Sequence, residues 1–350
     1  MELHFKNFPA SNMPYNSIEA AIKTMVKVYE DVPYITLLPN IGGEVSLLEM
    51  TIQGFLCIKK NEHKVVLSES EERLTKELTA LDAVYKKPEM SKLEKYKSKT
   101  LFMEKYFAML KKIQPKETVV KLLGPFSLAK KVSNIECAEI LTNKIYRKYL
   151  IEMLTLKAMW FIFRINEVSP NATPLIVFEE PLLNKFGTEK RENENLEAKD
   201  LVSIYSKIFE KIHSYSAFVG VQCLKKCDWQ IPIDSGVDLI SFNAYTNPHN
   251  LHIIAPKLWS FLQSGGYINW GIVPADNVDK VKEMNSESVF DDYNEILNSF
   301  IIRGFEQEIL KNQSLVSPQD EVSKLPMIFA DIVLLNAYNL SKRVTTSQPQ

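Results

Sequence analysis

What the chain has little of already narrows its class. Four cysteines in 350 residues (Cys57, Cys137, Cys223 and Cys227) cannot staple a fold of this size, so the expected compartment is a reducing cytoplasm. Neither charge sign is in excess, with 42 Lys+Arg against 43 Asp+Glu and a net charge of -1. No global field gathers polyanions, and nucleic acid is not expected as a partner. Long apolar runs are missing as well. The greasiest stretch, 149–165, carries Glu152, Lys157 and Arg164 and falls short of the roughly 20 apolar residues that a bilayer requires. It reads as a buried helix, and no membrane association is expected. Glu2, His4 and Lys6 interrupt the first residues, which leaves no apolar core for a secretory leader. There is no G-x-G-x-x-G after the first strand candidate and no G-x-x-x-x-G-K-[ST] anywhere, which removes the common dinucleotide and phosphate loops.

What remains is an ordinary globular composition, 45% hydrophobic and 24% charged, able to bury a large core. Eight short runs rich in β-branched or aromatic residues lie at 3–10, 33–39, 118–123, 174–178, 217–223, 237–242, 267–273 and 314–316. Helical pattern separates them. Asn16 with Glu19 reads as a capping box opening the first helix. Ahead of the fifth run, Leu201, Ile204, Tyr205, Ile208, Phe209 and Ile212 recur at three and four residue spacing, a single stripe of the kind that covers a sheet. A last helix spans 326–342. Parallel neighbours need crossover helices, so the predicted fold class is α/β, a single (β/α)8 TIM barrel over 1–343. Residues 67–113 form a charged helical insertion between strands 2 and 3, and 344–350 a disordered tail. An open doubly wound sheet is the competing arrangement. The insertion and 184–200 are candidate lids over the mouth. Polar, proline-rich strand ends recur at Pro39-Asn40, Gly124-Pro125, Glu179-Glu180-Pro181, Asn243-Ala244-Tyr245 and Ser317-Pro318. In a barrel those loops build the active site.

Several segments together resemble the uroporphyrinogen decarboxylase and cobalamin-independent methionine synthase superfamily, most of all short stand-alone relatives of the synthase's C-terminal catalytic domain. They are Cys227-Asp228-Trp229, Ser235-Gly236-Val237-Asp238-Leu239-Ile240-Ser241-Phe242-Asn243-Ala244-Tyr245, Gly265-Gly266, and Trp270-Gly271-Ile272-Val273-Pro274, with weaker matches at Asn12-Met13-Pro14, Gly124-Pro125-Phe126-Ser127 and Glu179-Glu180-Pro181. The resemblance spans nearly the whole chain and implies the same barrel. In the synthase branch it also implies a zinc site, made by a His-x-Cys pair, an acidic ligand and a distant Cys, that converts a substrate thiol to thiolate. The matching positions here are Gln222, Leu224, Asn243 and Asp320. None keeps the usual ligand, so no cofactor is expected and the metal site reads as lost. A shifted pair, Cys223 with Cys227, is the rival reading. Strand alternation turns Cys223 away from the face that carries Gln222 and Leu224, which makes it a small buried hydrophobe.

Glu179 and Glu180 are adjacent, so one of them must face the barrel axis. The resemblance implies that this acidic motif binds the amino group of an amino-acid substrate; the alternative is a contact that caps a neighbouring loop. Asn12, Gln222, Asn243, Tyr245 and Trp270 are further lining candidates. Asp228 reads as an N-cap, His249 and His252 as solvated imidazoles on a surface helix, and His213 as a cation at a helix C-terminus; His4 and His63 have no visible partner. The expected function is a methyltransferase-type barrel that binds a small amino-acid, thiol or methyl-carrier ligand. A methyl-carrier protein is the candidate macromolecular partner, and the sequence sets no oligomeric state. The alternatives are a metal-free decarboxylase-like enzyme of the porphyrin branch, or a catalytically silent binding protein.

Overall fold

A strand buried on both faces needs no polar alternation, and six of the eight predicted runs are of this kind. The computed structural model describes residues 3–4, 6–61, 64–68, 70–188 and 196–346. Within them, β1 (Ile58–Asn61) and β2 (Lys64–Leu67) form a small antiparallel hairpin. β3 (Glu117–Leu123), β4 (Thr173–Glu179), β5 (Phe218–Cys223), β6 (Leu239–Asn243), β7 (Tyr267–Val273) and β8 (Ser314–Pro318) form one parallel sheet in sequential order. The sheet is curled into a half-barrel.

The first two predicted strands are a correction. Among the described residues, 3–10 and 33–39 make only isolated parallel bridges, Asn7 with Val316 of β8 and Tyr34 with Val119 of β3. Each segment thus lies on an outer edge of the sheet, and Met13 N donates to Leu37 O across 3.1 Å between them. The reason is proline. Pro9, Pro14, Pro33 and Pro39 have no N–H to give to a ladder, so pairing stops after a bridge. A complete eight-stranded ladder is not what these hydrogen bonds form.

The predicted stripe of the fifth crossover is the buried face of helix Ala198–His213. Helix Lys144–Val168 is buried on nearly all sides from Tyr149 to Ile162, because the sheet covers one face and helix Glu71–Lys86 of the charged segment packs on another. Its Lys157 is fully buried, with the ammonium donating to Gln53 O, Tyr96 O and Ser98 Oγ at 2.5–3.0 Å. Gly54 permits this close approach: it has a positive φ, and a Cβ there would lie 2.7 Å from Lys95 O. Buried Glu77 accepts from Leu56 N and Cys57 N, both at 2.7 Å, and so anchors the entry to the β1–β2 hairpin.

Other local expectations shift. Ser17, not Asn16, caps helix Ile18–Val28 by accepting from Ala20 N. The last helix is Met327–Thr346 and runs past the predicted tail boundary; residues 347–350 lie outside the described residues, as do His63 and 189–195 of the second candidate lid. His4 Nδ1 lies 2.5 Å from Glu117 Oε1, and His213 Nε2 lies 2.7 Å from Asp238 Oδ2. His252 is not a solvated imidazole: it packs edge-on against Phe300, meets Ser299 Oγ at 2.9 Å, and burial pushes its pKa down to about 4. Among the described residues no helix is long and apolar enough to cross a membrane.

Candidate functional site

Alternation along parallel strands divides their side chains between two faces. Phe178 stacks on Phe209 of the crossover helix, and Phe242 and Trp270 pack towards Phe300, so these residues mark the helix-covered convex face. The concave face then holds Lys121, Glu179, Gln222, Ser241, Asn243, Asn269 and Ser317. Register brings them side by side: Glu179 is opposite Gln222, Gln222 opposite Ser241, and Ser241 opposite Asn269. Asn269 Nδ2 donates to Ser241 Oγ and Ser317 Oγ, both at 2.9 Å. The inner wall is polar near the carboxyl ends of the strands.

Above this wall lies a cavity of about 590 Å³. Asn12, Glu179, Gln222, Leu224, Asn243 and Asp320 line it, together with Ser11, Glu321, Lys225, Lys226 and Lys324. The loops that follow β4, β5, β6 and β8 therefore meet here, with the N-terminal segment closing the side.

At its floor is a residue that the sequence reading missed. Lys121 is buried at the centre of β3, and its ammonium donates to Gln222 Oε1 at 2.9 Å, Pro9 O at 3.1 Å and Ser11 Oγ at 3.2 Å. Glu179 Oε1 is 3.5 Å away, and the Phe8 ring centroid lies 5.2 Å from the nitrogen. Burial pulls the Lys121 pKa below its ordinary value, and the Glu179 carboxylate opposes that pull. Ser11 Oγ also donates to Glu179 Oε1 at 2.8 Å, and Asn12 Nδ2 to Glu321 Oε1 at 2.6 Å. The signal was present: one lysine interrupts the otherwise apolar run after Thr118, and a charge in a strand buried on both faces must find partners.

The two adjacent glutamates part company. Glu179 faces the cavity, whereas Glu180 is fully buried on the opposite side. Its carboxylate accepts from Phe126 N at 3.0 Å and Ser127 N at 2.8 Å, at the start of helix Pro125–Lys131, and from the Tyr205 hydroxyl. Burial raises its pKa, and the bonds from Ser127 and Tyr205 oppose the rise. Gly124 makes room, since a Cβ there would sit 2.2 Å from Glu180 Oε1. Trp270 is buried on the convex face, where its Nε1 donates to Ser314 Oγ at 2.8 Å. Tyr245 lines a separate cavity of about 310 Å³ with His249, Asp292 and Glu295. Of the seven predicted site residues, Asn12, Glu179, Gln222 and Asn243 share one cavity; Glu180, Tyr245 and Trp270 lie elsewhere.

The four positions that would carry zinc ligands by resemblance do converge on the main cavity. Their chemistry does not suit the metal. Gln222 Oε1 is held by the Lys121 ammonium, Asn243 Oδ1 accepts from Thr246 N at 2.9 Å, Asp320 Oδ1 accepts from Glu321 N at 2.7 Å, and Leu224 has no donor atom. Zinc in such sites takes thiolate, imidazole and carboxylate, of which these four positions offer only the Asp320 carboxylate, and a dication beside Gln222 would also face the ammonium. Among the described residues, no group of three or more His, Cys, Asp or Glu is arranged to hold a metal ion.

No family model and no curated protein matches this chain. Among solved structures it is similar to a methyltransferase from Methanosarcina mazei, with a TM-score of 0.51 and 9% sequence identity over 95% of this chain and 94% of that one. At that identity the likeness is one of fold, and it extends over almost the full length of both chains.

Proposed function

We propose that this chain is a metal-independent, methyltransferase-type barrel that binds a small zwitterionic, amino-acid-like ligand at the carboxyl ends of its strands. The observation that carries this reading is the mixed charge of the main cavity. Glu179, Asp320 and Glu321 offer carboxylates to an ammonium group, while Lys225, Lys226 and Lys324 offer ammonium groups to a carboxylate. The full-length likeness to a methyltransferase fold supports the barrel class. So do the Asn7 and Tyr34 bridges and the Met13–Leu37 hydrogen bond, on which we read the two N-terminal segments as completing the wall. The resemblance to the methionine synthase branch of the superfamily belongs to the same proposal, and so does a cytoplasmic location.

In this reading the Lys121 amine forms the floor, and the Glu179 side chain, held by Lys121 and Ser11, faces the ligand's ammonium. A thiol acceptor gains no metal activation, and with a pKa of about 8.5 it stays mostly protonated at neutral pH. The ordinary methionine synthase reaction is therefore expected to be slow or absent. Among the described residues no arginine lines the cavity, which disfavours a polycarboxylate tetrapyrrole as ligand. A methyl-carrier protein remains the proposed partner at the mouth.

Two measurements on the purified chain test the proposal. Metal analysis is expected to give far less than one zinc per chain, and calorimetric titration with free amino acids, L-methionine first, to give saturable binding. Glu179→Gln should weaken that binding about tenfold, the loss of roughly 1.4 kcal/mol expected for a charge-assisted contact. Stoichiometric zinc, or affinity indifferent to Glu179, would overturn the reading.

A further inference from the structure

Two side-chain amides in the wall of the main cavity have their orientation fixed by what they bond. Gln222 of β5 and Asn243 at the end of β6 both line the cavity, and each is only 7% exposed. Gln222 Oε1 accepts from Lys121 Nζ at 2.9 Å, and Asn243 Oδ1 accepts from Thr246 N at 2.9 Å. Both partners are donors, so neither amide can be turned over without losing its bond. The nitrogen is the free end of each. Among the described residues Gln222 Nε2 and Asn243 Nδ2 make no hydrogen bond, and neither is sealed off inside the protein. β5 and β6 are parallel neighbours with Gln222 opposite Ser241, which sets Asn243 diagonally beyond Gln222 on the same concave face. Strand spacing and rise put their Cα atoms about 8 Å apart, a span that the two side chains can close around one small group.

We propose that Gln222 and Asn243 form a neutral, two-donor cradle that seats the carboxylate of the ligand, a placement that rests on the amino-acid-like ligand proposed above and locates one end of it. The free groups are N–H donors with no lone pair to give a cation. They suit an anionic oxygen. Lys121 strengthens the first of them, because donation to Gln222 Oε1 polarises the amide and makes its N–H a better donor. The lysines at the rim do a different task. Lys225, Lys226 and Lys324 are exposed and draw an anion towards the mouth, whereas the buried, pinned amides hold it in one orientation at little further cost in side-chain freedom. The register accounts for the other end of the ligand as well. An α-amino acid carries its ammonium and carboxylate on one carbon, so neighbouring groups must meet them, and Glu179 is the β4 residue paired with Gln222.

Calorimetric titration of the full chain with three probes separates the two ends: L-methionine, its deaminated acid methylthiopropionate, and its decarboxylated amine methylthiopropylamine. Gln222→Glu and Asn243→Asp are the informative variants. Each keeps the oxygen that Lys121 or Thr246 holds and sets a carboxylate oxygen where the N–H donor stood; a chelator in the buffer keeps cations from the new carboxylate. The wild-type chain is expected to bind the acid saturably. Each variant should weaken methionine and the acid by about tenfold or more, the loss of a hydrogen bond to a charged group, while the amine binds as before or more tightly. Retained amine binding also shows that the variant is folded. Glu179→Gln should do the reverse, weakening the amine and sparing the acid, so the two assignments fail separately. An acid that responds to Gln222 and Asn243, with no probe responding to Glu179, supports the cradle and sinks the ammonium assignment alone. A wild-type chain that does not take the acid, acid affinity unchanged in both variants, or loss of amine and acid together in both, would each overturn the cradle.

Discussion

At the scale of single residues, the site rests on one buried charge. Lys121 gives its three protons to Gln222, Pro9 and Ser11 and keeps Glu179 within 3.5 Å. Removing one member of such a set leaves the others buried without a partner, which costs more than the set contributes as a whole. Lys121→Met is therefore expected to destabilise the chain by about 3 kcal/mol. This would be read as a lower urea midpoint at unchanged slope, and an unshifted midpoint would remove Lys121 from its central role. The adjacent glutamates show how much of this was legible. Their pairing is plain in the sequence, and alternation requires that only one face the axis. Which one does follows from the register of β4 against β5, where Glu179 pairs with Gln222, a fact that no local pattern contains. Lys121 was legible in principle, because a lone lysine in an apolar run demands an explanation.

Among the elements, the long helix Lys144–Val168 and the charged segment form a second electrostatic unit. Glu152 is buried on that helix, with Lys148 Nζ 3.5 Å from Oε1 and no partner for Oε2 among the described residues. Burial pushes its carboxyl up to about 7, against the pull of Lys148, with Asp82 adding to the rise and Lys86 opposing it. Between the ordinary value of 4.5 and about 7 the folded chain holds a proton that the unfolded chain has lost. The stability this proton contributes is whole below 4.5 and is lost as pH rises through about 7. Glu152→Gln should accordingly leave the urea midpoint unchanged near the lower value and raise it above the upper one. A gain of equal size at both pH values would show that charge is not the cause. The sequence signalled the helices of this segment through their periodicity. It did not signal the β1–β2 hairpin, whose two four-residue strands are rich in lysine and depend on Glu77 of the following helix for their anchor.

For the molecule as a whole, the half-barrel is stitched on one side by ladders and on the other by isolated bridges. Phe8 N donates to Val316 O at 2.8 Å and Ile35 N to Val119 O at 3.3 Å, whereas β4 and β5 share a five-residue ladder. Regions tied by few bonds open at lower free energy. Hydrogen exchange should therefore release the Phe8 and Ile35 amides before those of Val177 and Val221; equal protection would mean that the N-terminal segments are as firmly built in as the sheet. The sequence by itself determined the six core strands, the crossover stripes and the apolar balance of the fold. Those depend on local burial, which β-branched runs and helical spacing encode directly. It over-read the first two strands because prolines weigh more on a ladder than on a pattern count. Only the tertiary structure decided which glutamate meets the cavity, that a lysine of β3 stands beside the amide of β5, and that Gln222, Leu224, Asn243 and Asp320 converge on one cavity. Each of these depends on contacts between residues of different strands and loops, and such contacts are fixed by how strands register when the sheet curls, not by any residue's own neighbours.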